Sequence, residues 1–108
     1  MELHPGVFVS SAEESAWEPD PDVGGEMNVL YRGEGVEAGL SRFTSPTPPI
    51  RWTLPAKETF YVLEGEARVE IAGGPTFRVG VGDMASIPEG AESTWHLTTP
   101  FMDFYVLG

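Results

Sequence analysis

The sequence predicts an all-β domain, a barrel or sandwich of short antiparallel strands. Three observations lead there. Glycine (13) and proline (10) make up about a fifth of the 108 residues and are spread along the chain, which suits many strands joined by turns. Apolar runs recur at intervals of roughly 8–12 residues with turn signals between them. From residue 27 onward no segment carries a sustained helical period, and there is no internal repeat. A hydrophobic fraction of 41% supports a packed core, and the length allows one domain.

Residues 1–26 read as a polar, acidic arm laid over the barrel, and residues 27–108 as the barrel itself. In the arm, Ser11 and Glu14 have the spacing of a capping box, so one helical turn is expected, ending before Pro19. Trp17 is the expected anchor, because a single large ring can pin a polar arm to an apolar surface. Strands then follow in MNVLYR, VEAGLSRF and RWTL, with the Pro-rich residues 45–49 as an exposed loop. ETFYVLE is expected to be buried, Gly65 to break the run, and ARVEIA to alternate with period two. Gly73-Gly74-Pro75 makes a hairpin, followed by TFRVGV, MASIP, STWHLT and FMDFYVL as further strands.

Composition narrows the function classes. With no cysteine there is neither a disulfide framework nor a thiolate zinc site, as suits a reducing compartment. The first residues, MELHPGVFVSS, have no basic stretch and no long apolar run, so neither a secretory signal nor a membrane span is expected and the chain is placed in the cytoplasm. Seventeen acidic residues against six basic ones give a net charge of −11. Such a surface repels phosphate backbones and anionic membranes, which argues against nucleic-acid or membrane partners. It serves solubility, adaptation to salt, or a basic partner.

Residues 51–106 resemble a cupin domain, most closely the small single-domain cupins grouped with ureidoglycine aminohydrolases and ethanolamine-utilisation proteins. ETFYVLEG (58–65), the Gly73-Gly74 hairpin, VGVGDMASIPEG (79–90) and the closing TTPFMDFYVL carry the resemblance. It implies a single double-stranded β-helix, or jelly-roll, barrel. Metal-binding cupins place two His, one residue apart, shortly before the Glu, and a third three residues after the Pro-x-Gly glycine. The resemblance puts the Glu at Glu58, and Arg51, Thr53 and Ser93 where imidazoles would stand. One carboxylate without imidazole holds iron, manganese or zinc poorly, so no metal is expected, with a divalent ion at Glu58 as the minority case.

If Ser93 points inward, strand parity turns Trp95 inward and His96 outward. The expected mouth is then Arg51, Thr53, Glu58, Phe60, Ser93 and Trp95, with Arg42 and Tyr105 added on the resemblance. Trp52 falls on the opposite face, against the arm or a second subunit, and His4 is expected in solvent. Arg51 facing Glu58 either neutralises a buried charge or binds a carboxylate ligand while Glu58 takes or gives a proton.

Two functions stay open. One is a small-molecule binding or accessory module. The other is a small-molecule enzyme of isomerase, lyase or aminohydrolase type, with Glu58 as its acid or base and a metal as an option. An open cavity with a raised Glu58 favours the enzyme; a barrel plugged by Trp95 and Phe60 favours a structural role. The apolar MNVLYR and FMDFYVL, read as edges, together with the pairing habit of cupins, suggest a homodimer.

Overall fold

The computed structural model describes residues 1–108, the side chain of Ser15 excepted. Turn residues divide the chain into β1 (Glu2–His4), β2 (Val7–Phe8), β3 (Glu18–Pro19), β4 (Glu26–Gly33), β5 (Val36–Phe43), β6 (Ile50–Thr53), β7 (Glu58–Ile71), β8 (Thr76–Gly80), β9 (Met84–Ile87) and β10 (Glu92–Leu107). The one helical element among the described residues is a 3-10 turn at Glu14–Ala16. No helix there is long and apolar enough to cross a membrane. β1 and β2 make a hairpin of their own. The other strands form an antiparallel sheet in the order β3-β4-β5-β10-β7-β8, with β6 added on β10 and β9 on β7.

β7 and β10 are the spine of this sheet. The first half of β7 pairs with β9 and its second half with β8. β10 pairs first with β6 and then with β5, staying beside β7 throughout. Two lobes result, and the sheet folds where the spine bends. There the β7–β10 register shifts between Thr98 and Met102, and Gly65 takes a φ of +79°. A Cβ on Gly65 would collide with the carbonyl oxygens of Thr98 and Pro100. Glycine is therefore needed both for its conformation and for its lack of a side chain. The expectation that Gly65 ends a strand fails here, as does the division of STWHLT from FMDFYVL. A bulge bends the ladder without ending it, so each pair of runs is one long strand.

The core lies between the two lobes. Phe60 and Val62 from one lobe meet Ala67, Val69 and Trp95 from the other, closed off by Leu54, Ile87 and Phe101. Phe60 and Trp95 are in contact at 4.9 Å between ring centroids, tilted by 45°. The ladder does not close on itself. FMDFYVL is not an edge, because β10 is flanked by β5 and β7 along this stretch. What it exposes is its outer face, on which Phe104 stands beside Tyr61 of β7.

The residues before β4 are tied to it by specific contacts. The buried Asn28 donates from Nδ2 to the carbonyl oxygen of Glu13 at 2.9 Å. Trp17 lies over the Arg42 guanidinium at 3.9 Å, a cation–π contact in place of the expected apolar anchor. The expected capping box does not form. Glu13, not Ser11, precedes the 3-10 turn, and no side chain caps it. Residues 20–25 form a tight loop in which Gly24 N donates to Asp20 O at 3.1 Å and Asp22 N to Asp20 Oδ1 at 2.9 Å. This loop folds over one end of the barrel.

Candidate functional site

The inner face of a strand is every second residue, so the site follows from parity and register. On β7 the inward positions are Glu58, Phe60 and Val62, all buried. On β10 they are Ser93 and Trp95 in the first half, and Phe101, Asp103 and Tyr105 in the second. On β6, Trp52 lies opposite Ser93 and Ile50 opposite Trp95. Residues directly opposite in an antiparallel pair share a face, so Ile50 and Trp52 point inward.

Arg51 and Thr53 are therefore on the outer surface, exposed, beside Glu92 and Thr94. This overturns the expectation that Arg51 and Thr53 line the barrel mouth and that Arg51 faces Glu58. The expected register was off by one residue, and a slip of one turns a whole strand over. Trp52, expected outside, is inside. Ser93 points inward as expected but serves structure, donating to the Trp52 carbonyl oxygen at 2.7 Å and accepting from Trp95 Nε1 at 2.9 Å. Phe60 belongs to the packed core rather than to a cavity wall. Arg42 faces outward, bonded through Nε to Glu26 Oε1 at 2.9 Å. His96 points outward, 3.2 Å from Glu70 Oε2, and that contact is the leading cause holding the Glu70 carboxyl below its usual value. His4 is exposed.

Of the expected residues, Glu58, Trp95 and Tyr105 do come together. They line a partly open cavity of about 80 Å³ at the end of the barrel covered by residues 20–25. Trp52, Phe43 and Phe101 supply further aromatic wall, and Asp20, Glu37 and Asp103 further carboxyl groups.

Two of these carboxyls are unusual. Glu58 is 5% exposed and Asp103 3%, and Glu58 Oε1 and Asp103 Oδ1 have no hydrogen-bond partner in the protein. Burial, then the charges of Asp103 and Asp20, pushes Glu58 up to about 8. Burial alone pushes Asp103 up to about 7. An orphaned acceptor in an apolar wall costs about 1–3 kcal/mol, so two of them are an expense that the fold itself does not require. Tyr105 stands between them on the β7–β10 ladder and donates to Glu37 Oε2 at 2.8 Å; burial, helped by that bond, raises its phenol. Arg32 holds Glu37 from the other side at 3.0 Å.

The sequence reading missed Asp103, and a signal for it existed. In FMDFYVL, Asp103 is the one charged residue of a strand apolar on both faces, and it has the parity of Phe101 and Tyr105. Glu37 has the same relation to Phe43 on β5. Asp20 lies in a loop whose fold over the barrel no local pattern signals.

The barrel does not offer the donor set of a metal centre. The inward positions of β6 carry Ile50 and Trp52, Ser93 is engaged with Trp52 and Trp95, and no histidine lines the cavity. Among the described residues no three His, Cys, Asp or Glu are grouped to hold an ion.

A jelly-roll sheet folded around one small cavity, with a glutamate at the start of its longest inner strand but one, is the arrangement of a small cupin. Residues 44–105 match the model of the EutQ-like cupin domain, and the chain belongs to that family. No curated protein matches it. Among solved structures it is similar to a putative ethanolamine utilisation protein Q of Salmonella typhimurium, with 23% identity, 93% of this chain and 92% of that one covered, and a TM-score of 0.69. It is also similar to ectoine synthase from P. lautus (18% identity, coverage 94% and 77%, TM-score 0.76). A third is a putative mannose-6-phosphate isomerase of Ralstonia eutropha (18%, coverage 82% and 85%, TM-score 0.64). At these identities the likeness is one of fold.

Proposed function

We propose that this cupin binds a small organic molecule in the cavity between Trp52, Trp95, Glu58 and Asp103, without a transition metal. The observation that carries the reading is the pair of orphaned, deeply buried carboxyls in an aromatic-walled cavity. A few polar groups converging in an apolar hollow is the usual make-up of a small-molecule site. The volume of about 80 Å³ limits what enters fully to a compact group, with any longer part of the ligand leaving through the mouth.

The test is a screen of small neutral, anionic and cationic compounds for thermal stabilisation, repeated with Trp52→Leu and Arg51→Ala. Binding that is lost in Trp52→Leu and kept in Arg51→Ala supports the reading. Compounds that stabilise both variants as well as the wild type bind elsewhere and contradict it.

A second reading is favoured by one observation, the Glu58 carboxyl raised to about 8. A group that holds its proton at neutral pH can donate it to a bound substrate, which is what an isomerase, lyase or aminohydrolase step needs from a general acid. Two of the similar folds are named as a synthase and a putative isomerase. Under this reading Glu58→Gln abolishes turnover of a stabilising compound while leaving its binding in place.

A further inference from the structure

We propose that the occupant of the cavity is a protonated primary amine on a short apolar body. This rests on the small-molecule reading above and narrows it to one ligand chemistry. Five acidic side chains line the cavity, Asp20, Asp22, Glu37, Glu58 and Asp103, and no lysine, arginine or histidine among the described residues does. An anion would enter against that field, with no cation inside to meet it. Glu37 is already occupied, by Tyr105 and Arg32. Glu58 Oε1 and Asp103 Oδ1 are not: both lack a hydrogen-bond partner, and both accept once their carboxyls ionise.

An alkylammonium supplies what is missing: up to three N–H donors and one positive charge. Both carboxyls line the same cavity, and the charge of Asp103 is among those that raise Glu58, so a cation bound there offsets that repulsion. The walls suit the rest of such a molecule. Trp52, Trp95, Ile50 and Leu97 line the same cavity and supply apolar wall for the carbon chain.

The charge logic also fixes a pH dependence. With burial holding Glu58 up to about 8 and Asp103 up to about 7, the cavity keeps its protons in weak acid. An ammonium favours the ionised carboxyls. Its binding therefore releases protons near neutrality, and its affinity rises as pH climbs toward and past about 8. A neutral hydrogen-bond acceptor would show the reverse slope. The other titratable or charged groups facing this pair are Asp20 and Asp22 from the loop, Glu37 from β5 with Arg32 from β4, and Tyr105 from β10.

Calorimetry with three probes that share an isobutyl body decides it: isobutylammonium, 2-methylpropan-1-ol and 3-methylbutanoate. The expected result at about pH 8 is isobutylammonium binding roughly tenfold or more tighter than the alcohol, with the carboxylate not binding. Isobutylammonium should also weaken by about tenfold at about pH 6 and release protons on binding near pH 7. Asp103→Asn and Glu58→Gln, which keep the shape of the neutral acids and so preserve folding, should each lower its affinity about tenfold and leave the alcohol unchanged. Alcohol or carboxylate binding as tightly as the amine in a Trp52-dependent way overturns the ammonium assignment and leaves small-molecule binding standing. No binding by any of the three at millimolar concentration also overturns the assignment; if the wider screen finds nothing as well, the binding reading falls with it.

Discussion

Replacing Asp103 by asparagine should make the protein more stable at pH 8 than the wild type, although it removes a native side chain. Asp103 is 3% exposed with an unpartnered oxygen, and burial raises its carboxyl from 3.8 to about 7. In the unfolded chain the same group ionises near 3.8, so between about 4 and 7 the folded protein holds a proton that the unfolded chain releases. Stability on this account is full in acid and falls as pH rises through that window. A difference of about three units, at ~1.4 kcal/mol each, sets a ceiling of about 4 kcal/mol. Relaxation and water entry reduce that, and about 2 kcal/mol is a fair expectation. Asparagine imitates the protonated acid and loses nothing as pH rises. For a chain of this size ~2 kcal/mol corresponds to a melting-point gain of very roughly 10 °C. Thermal melts followed by tryptophan fluorescence, from about pH 4.5 to 8.5, supply the test. The curves for variant and wild type should lie close together in acid and separate toward pH 8, with the variant higher. Parallel curves, or a variant that weakens as pH rises, would refute the reasoning.

Further outcomes follow from the same geometry. Elemental analysis of protein purified without a histidine tag should find transition metal well below one equivalent, unchanged in Glu58→Gln; stoichiometric metal lost in that variant would mean that a metal site forms around Glu58. Gly65→Ala should cost about 2 kcal/mol or more in denaturant melts, because φ is +79° and a Cβ meets the Thr98 and Pro100 carbonyls; an effect below about 0.5 kcal/mol would contradict the bend. We also propose that two copies pair through the outer face carrying Tyr61, Leu63, Met84 and Phe104, all exposed. Light scattering behind size exclusion should give a dimer that Phe104→Glu converts to monomer, and a wild-type monomer at micromolar concentration would refute it.

Much of this fold was legible because it is written in local signals. The strands of VEAGLSRF and MASIP follow from apolar runs between turn residues, and the cupin resemblance rests on spacings that the structure uses as turns. What escaped was long-range. Whether Arg51 or Trp52 faces the cavity depends on pairing Trp52 with Ser93, forty-one residues away. No pattern within RWTL fixes that register, and one step of slip exchanges the two faces. Gly65 read as a break because its role depends on Thr98 and Pro100 crossing it. Glu58 was found through the resemblance; Asp103 could have been found as the residue between Phe101 and Tyr105 on the same face. The acidic character of the cavity also needed the 20–25 loop, which adds Asp20 to the lining that Glu58 shares.

The most direct test is a pH titration of the carboxyl carbons of Glu58 and Asp103 by carbon-13 NMR, with Glu58→Gln and Asp103→Asn identifying the two signals. Midpoints near about 8 for Glu58 and about 7 for Asp103 are what a buried, acidic, aromatic-walled site requires. Midpoints near the ordinary 4.5 and 3.8 would mean that water or another partner already satisfies both groups, and would contradict a site built on two unpartnered carboxyls.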